Sequence, residues 1–184
     1  VLLDGEGLGH TPSSSAAVST SLYSRMNLCD AILLVDNAMQ PMQAAAVGAM
    51  KELVSSGNSS KLLLAFTHFD QVTGDNLPTF RDKTRHVLAS AENVLASLAQ
   101  ELGPYAERSL RQRIESARFF LGNLNTPLEP DNPSQKRDRD QLLKLIDAID
   151  NIVKQPVPIA PKPIYDRMNL VLAVKSAAEK FQES

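Results

Sequence analysis

Short, unbroken apolar runs alternate with longer amphipathic stretches along this chain. Val1–Leu3, Ala31–Val35 and Leu62–Phe66 are continuously apolar, and Ala117–Leu121 is apolar except for Arg118. That pattern predicts strands buried on both faces, hence a parallel sheet. Between them the spacing predicts helices. One spans about Ala16 to Leu28, started by Pro12 and Ser13–Ser15. A second runs to about Val54, with Pro41 at its first helical position and Gly57-Asn58 stopping it. A long helix over about Phe80 to Leu102 is broken by Gly103-Pro104, and a more charged one follows to about Glu115. Gln135 to Val153 is amphipathic. Strands alternating with helices predict an α/β fold, a three-layer sandwich around a mostly parallel sheet.

The pattern changes after residue 154. Pro156, Pro158, Pro161 and Pro163 make 155–163 an extended, stiff linker. Ile164, Met168, Val171, Val174, Ala178 and Phe181 then recur at helical spacing, predicting an extra C-terminal helix over 164–184 with one apolar face. The expected organisation is a domain over 1–154, the linker, and this helix. Its stripe needs cover. It either packs back on the domain or meets another helix, from a partner or a second copy, through residues 164–181. At the other end, Val1 already reads as part of a buried strand, so a preceding segment is expected.

Composition narrows the picture modestly. At 43% apolar and 22% charged the chain is of the folded, globular kind. A net charge of −2 argues against bulk electrostatic binding, so no nucleic-acid partner is expected. No apolar run approaches the ~18–20 residues of a membrane span. A single cysteine, Cys29, rules out an internal disulfide and a Cys-rich zinc site. With no signal-peptide pattern, it points to a cytoplasmic protein. Cys29 lies beside Asp30, whose charge disfavours a thiolate, and reads as a packed residue. His10, His68 and His86 have no metal-ligand spacing. Arg108, Arg111, Arg113 and Arg118, interspersed with acids, read as a solvated helix face.

Chemistry is expected at the strand ends, because ligands of open parallel sheets sit outside the carboxyl ends of the strands. Four such ends carry polar or Gly-rich sequence: Asp4-Gly5-Glu6-Gly7, Asp36-Asn37, Thr67-His68-Phe69-Asp70 and Gly122-Asn123. On one sheet they would converge on one crevice. A carboxylate at Asp4 can hold the water shell of Mg²⁺, and Gly7 lets a backbone N–H approach a terminal phosphate. A carboxylate at Asp70 can accept two N–H bonds from one edge of guanine, which adenine cannot supply. Each loop read singly is also an ordinary turn.

Together these loops resemble the later half of a P-loop GTPase domain, dynamin-like or a related bacterial type. The match covers about residues 1–154 and includes Ile32-Leu33-Leu34-Val35-Asp36 and the loop through Pro41. The resemblance implies GTP and Mg²⁺ as cofactors. It assigns Asp4 to the metal, through water, Gly7 to the γ-phosphate, and Thr67, His68, Asp70 and Asn123 to the nucleotide. It also implies that the loop from Gly5 to Ser15 is a switch, that the protein is a nucleotide-dependent switch or assembly protein, and that regions beyond this chain could carry peripheral membrane association.

Three departures mark the chain. It contains no G-x-x-x-x-G-K-[ST], so the phosphate cradle is missing. The resemblance then implies the family's fold with its N-terminal part absent, so that Val1–Asp4 either pairs directly with Ala31–Asp36, the preferred expectation, or is only loosely held. His68 stands where the family has a lysine. Leu8 stands where it has a water-orienting glutamine, leaving Glu6 and His10 as the local catalytic candidates. The competing expectation is a catalytically inert, GTPase-like interaction domain.

Overall fold

In a computed structural model of the chain, residues 26–133, 135–154 and Val174 can be described. The chain divides into two compact units, Val1–Lys154 and Gln155–Ser184, and Val174 is the one described residue of the second. The expected strand and switch loop of residues 1–15, the linker and most of the C-terminal helix lie outside the described residues.

The described apolar runs form three parallel strands in the spatial order β1 (Ile32–Asn37), β2 (Leu62–Thr67) and β3 (Arg118–Phe120). β1 and β2 pair from Ile32↔Leu62 to Asn37↔Thr67, and β2 pairs with β3 from Leu64↔Arg118 to Phe66↔Phe120. β2 is the central strand and buries both faces, as its unbroken apolar sequence requires. Leu62, Leu64 and Phe66 enter one core with α1 (Ala44–Ser55), α2 (Phe80–Leu102) and α3 (Pro104–Ser116). Leu63 and Ala65 enter a second core under α4 (Lys136–Lys154), with Phe119, Leu121 and Leu145. Helices therefore cover both faces of the sheet, and the α/β class expected from the pattern is the one observed. Among the described residues β1 pairs only with β2, and Leu33 and Val35 on the α4 side of β1 stay exposed.

Local sequence explains the helix ends. Thr79 caps α2 by accepting the Asp82 N–H at 3.2 Å, and Val87, Ala91, Leu95 and Leu98 form its buried stripe. Gly57, at φ +73°, closes α1. Its N–H bonds Val54 O and the next N–H, of Asn58, reaches back to Leu53 O at 2.8 Å, a Schellman cap.

Two expectations are corrected. Pro41 does not open α1, which starts at Ala44. The residues before it turn instead, with Met42 left-handed at φ +61° and its N–H held by the Asp36 carboxylate at 2.8 Å. The arginine stretch is not a free solvated face either. Arg113 donates from Nε (3.1 Å) and Nη2 (2.6 Å) to Leu62 O, at the start of β2, and burial pushes its guanidinium below the ordinary arginine value. Arg111 bridges Glu92 of α2 and Glu107 of α3. These side chains join α3 to the sheet and to α2.

Candidate functional site

Three of the four polar strand ends lie at the same edge of the sheet, because β1, β2 and β3 are parallel neighbours. Asp36-Asn37 ends β1, the Thr67–Asp70 segment leaves β2, and Gly122-Asn123 follows β3. The fourth end, with Asp4 and Gly7, expected at the metal and the phosphate, and the catalytic candidates Glu6 and His10, lies outside the described residues.

The middle loop is built around Phe69. His68 takes the left-handed conformation (φ +56°), which turns the chain out of β2 into a single 3₁₀ turn, Phe69–Gln71. A left-handed histidine is uncommon but tolerated. Phe69 points inward, 4% exposed, and packs on Phe80 and Phe120 with ring centroids 5.1 and 4.9 Å away. Its N–H bonds Leu121 O at 3.1 Å. With that anchor buried, its neighbours His68 and Asp70 are held on the exposed side. Gln71 Nε2 lies 3.4 Å from His68 Nδ1.

The loop after β3 locks onto this turn. Asn123, left-handed at φ +54°, donates its backbone N–H to Asp70 Oδ1 at 3.1 Å. Its side-chain Nδ2 donates to Asp138 Oδ2, in the first turn of α4, at 2.5 Å. Gly122 makes the approach possible. A Cβ placed there would sit 3.1 Å from both Asp70 Cβ and Asp70 N and 3.2 Å from Asp138 Oδ1. Thus one oxygen of Asp70 is committed to the protein, and among the described residues Oδ2 accepts no hydrogen bond. The arrangement is an exposed, oriented carboxylate with a flanking imidazole. It can accept paired N–H donors from the edge of a planar ligand.

The loop after β1 completes this edge. Ala38 N–H bonds Thr67 O at 2.9 Å, and Thr67 Oγ1 donates to Asp36 O at 3.1 Å, so Thr67 joins β1 to β2. The Asp36 side chain is 8% exposed and points back to the Met42 N–H, not toward a ligand. Burial raises its carboxyl above the ordinary value, opposed by the hydrogen bonds from Met42 and Asn37. Between the ordinary and the raised value the folded state holds more proton than the unfolded one. The contribution of Asp36 to stability therefore falls as pH rises through that window. Asp36→Asn keeps an acceptor for Met42, and should flatten that part of the curve while changing stability at neutral pH by under ~1 kcal/mol. Asp36→Ala, which leaves the N–H unpaired, should cost about 1–3 kcal/mol. Urea unfolding over a pH series, from about pH 3 to about pH 7, measures both.

Of the expected site residues, the structure brings Thr67, His68, Asp70 and Asn123 together. Sequence reasoning missed three residues that hold them: Phe69, Gly122 as a steric requirement, and Asp138. Phe69 alone had a signal, as the apolar member of a polar loop. Among the described residues no group of three or more His, Cys, Asp or Glu could hold a metal ion, and no helix is long and apolar enough to cross a membrane. Neither a protein-family model, nor a curated protein, nor a solved structure matches the chain.

Proposed function

We propose that residues 1–154 are the guanine-reading part of a P-loop GTPase domain, in a cytoplasmic protein that works as a nucleotide-dependent switch or assembly protein. The observation that carries the reading is the tie between Asn123 N–H and Asp70 Oδ1. It joins the loops after two adjacent parallel strands and leaves the second oxygen of an exposed carboxylate without a hydrogen bond among the described residues. In this reading Asp70 accepts the N1–H and 2-amino groups of guanine, His68 flanks the base in place of a lysine stem, and Thr67 and Asn123 frame the loop. The described residues suit a base but hold no metal cluster, so Mg²⁺ and the γ-phosphate are assigned to Asp4 and Gly7 through the resemblance alone.

The phosphate cradle and its lysine are not among these 184 residues, and the reading requires that the same protein supply them elsewhere. Calorimetry with GTP and Mg²⁺ on the protein with its complete reading frame should therefore show saturable binding and a preference over ATP. A folded protein that binds neither overturns the proposal. Residues 1–184 alone should not reach a dissociation constant below about 1 μM, because affinity in such sites rests mainly on the cradle.

Leu8 and His68 favour a second reading, an inert domain that keeps the scaffold as a surface for other proteins. Saturable GTP binding excludes it. The C-terminal stripe, Ile164 to Phe181, is proposed as a contact for a helical partner or a second copy under either reading.

A further inference from the structure

We propose that Asp138 is a positioning residue for base recognition, acting on Asp70 through Asn123; this rests on the guanine reading above. Asp138 touches no expected ligand atom and lies on α4, outside the strand-end loops. Its Oδ2 accepts the Asn123 side-chain amide at 2.5 Å, and the same asparagine gives its backbone N–H to Asp70 Oδ1. Asn123 thus carries a carboxylate at each end, one in the helix and one in the reading loop.

Asn123 holds a left-handed backbone, φ +54°, a conformation asparagine tolerates better than most residues, so the local hydrogen bonds have only to select it. Thr126 holds the Asn123 carbonyl through its N–H and Oγ1, both at 3.2 Å, and the bond to Asp138 holds the side chain. Were Asn123 to relax, its N–H would swing off Oδ1, and Asp70 would lose the one hydrogen bond its side chain makes among the described residues. Position also favours Asp138 as the fixed end. It sits in the first turn of α4, where the helix dipole stabilises a carboxylate, and α4 is anchored in the second core through Leu145. Gly122 closes the triangle, since no side chain at that position could stand between Asp70 and Asp138.

The sensitive readout is the discrimination of GTP from ITP, because hypoxanthine lacks only the 2-amino group that a correctly aimed Asp70 accepts. In the protein with its complete reading frame, Asp138→Ala should lower the GTP/ITP affinity ratio about tenfold, the order expected for one charge-assisted hydrogen bond, while ITP affinity changes less. Asp138→Asn, which keeps a carbonyl for Asn123, should restore the ratio to within about threefold. On the same protein, labelled with ¹⁵N at asparagine, the Asn123 side-chain amide should exchange slowly in wild type and Asp138→Asn and fast in Asp138→Ala. An Asn123 amide that ignores Asp138→Ala overturns the hydrogen bond and the proposal. A changed amide with an unchanged GTP/ITP ratio makes the residue merely structural and overturns the positioning role alone. A wild-type protein that binds neither nucleotide overturns the guanine reading itself, and the amide signal then still reports whether the bond exists.

Discussion

Asp70→Asn, in the protein with its complete reading frame, should weaken GTP binding by about 30- to 1000-fold and shift the preference to xanthosine triphosphate. The expectation follows from which oxygen of Asp70 is already in use. Asn123 N–H needs an acceptor and finds it in Oδ1 at 3.1 Å. A carboxamide has one acceptor end and one donor end. Its carbonyl would stay on Asn123, and its NH₂ would take the place of Oδ2. A donor would then face the 2-amino donor of guanine. Loss of one charge-assisted bond and the new donor–donor repulsion are together worth about 2–4 kcal/mol, which converts to the stated range. Xanthine carries a carbonyl where guanine carries the amino group, so the same NH₂ can donate to it. Asp70→Ala is the control, since it should lose GTP without acquiring affinity for the xanthine nucleotide. Competition of unlabelled nucleotides against a fluorescent analogue measures all three. If Asp70→Asn leaves the GTP/XTP ratio unchanged, Asp70 does not read the base.

The parts of this structure that sequence anticipates are those set by local pattern. Leu62–Phe66 is apolar at every position, and only a strand covered on both faces can use such a run. It is the central strand. Gly103-Pro104 likewise divides α2 from α3 where it should, with Pro104 in the first turn of α3. What sequence does not disclose is set by partners distant along the chain. Proline fixes the same φ at a first helical position and in a turn, so Pro41 alone cannot say which it occupies. The Asp36 carboxylate decides, by taking the Met42 N–H into the core. Arg113 reads as one more charge in a charged helix, and its partner, Leu62 O, lies 51 residues away. Asp138 sits in the run Lys136-Arg137-Asp138-Arg139-Asp140, where nothing local marks it. Of the site, then, the exposed His68 and Asp70 and the half-buried Thr67 and Asn123 were legible as polar groups at strand ends. Their supports were not, because support is a property of packing.

Gly122 is where packing and recognition meet, and substitution there should cost more than its size suggests. Its backbone is not among the left-handed positions, so any L-residue could adopt the conformation. The obstacle is space. The nearest neighbours of an added Cβ, at 3.1 Å, are the backbone N and Cβ of Asp70, which cannot swing aside as a side-chain tip can. Gly122→Ala should therefore destabilise the domain by about 1 kcal/mol, and Gly122→Val by about 2–3 kcal/mol, as overpacking does. Gly57 offers the opposite case. It has nothing within 4 Å of an added Cβ, but its φ is +73°. There the penalty is conformational, and Gly57→Asn, which tolerates the left-handed region, should be nearly neutral. No such rescue exists at Gly122, where Asn is larger than Ala and should be worse. Urea unfolding of the four variants tests the ranking. The recognition arm is separate: relief of the clash must push the Asp70 turn away from Asn123. Gly122→Ala should thus lower the GTP/ITP ratio in the complete protein, whereas Gly57→Asn should leave it unchanged. Equal effects at the two glycines would show that the loops after β2 and β3 are not in the contact on which guanine reading depends.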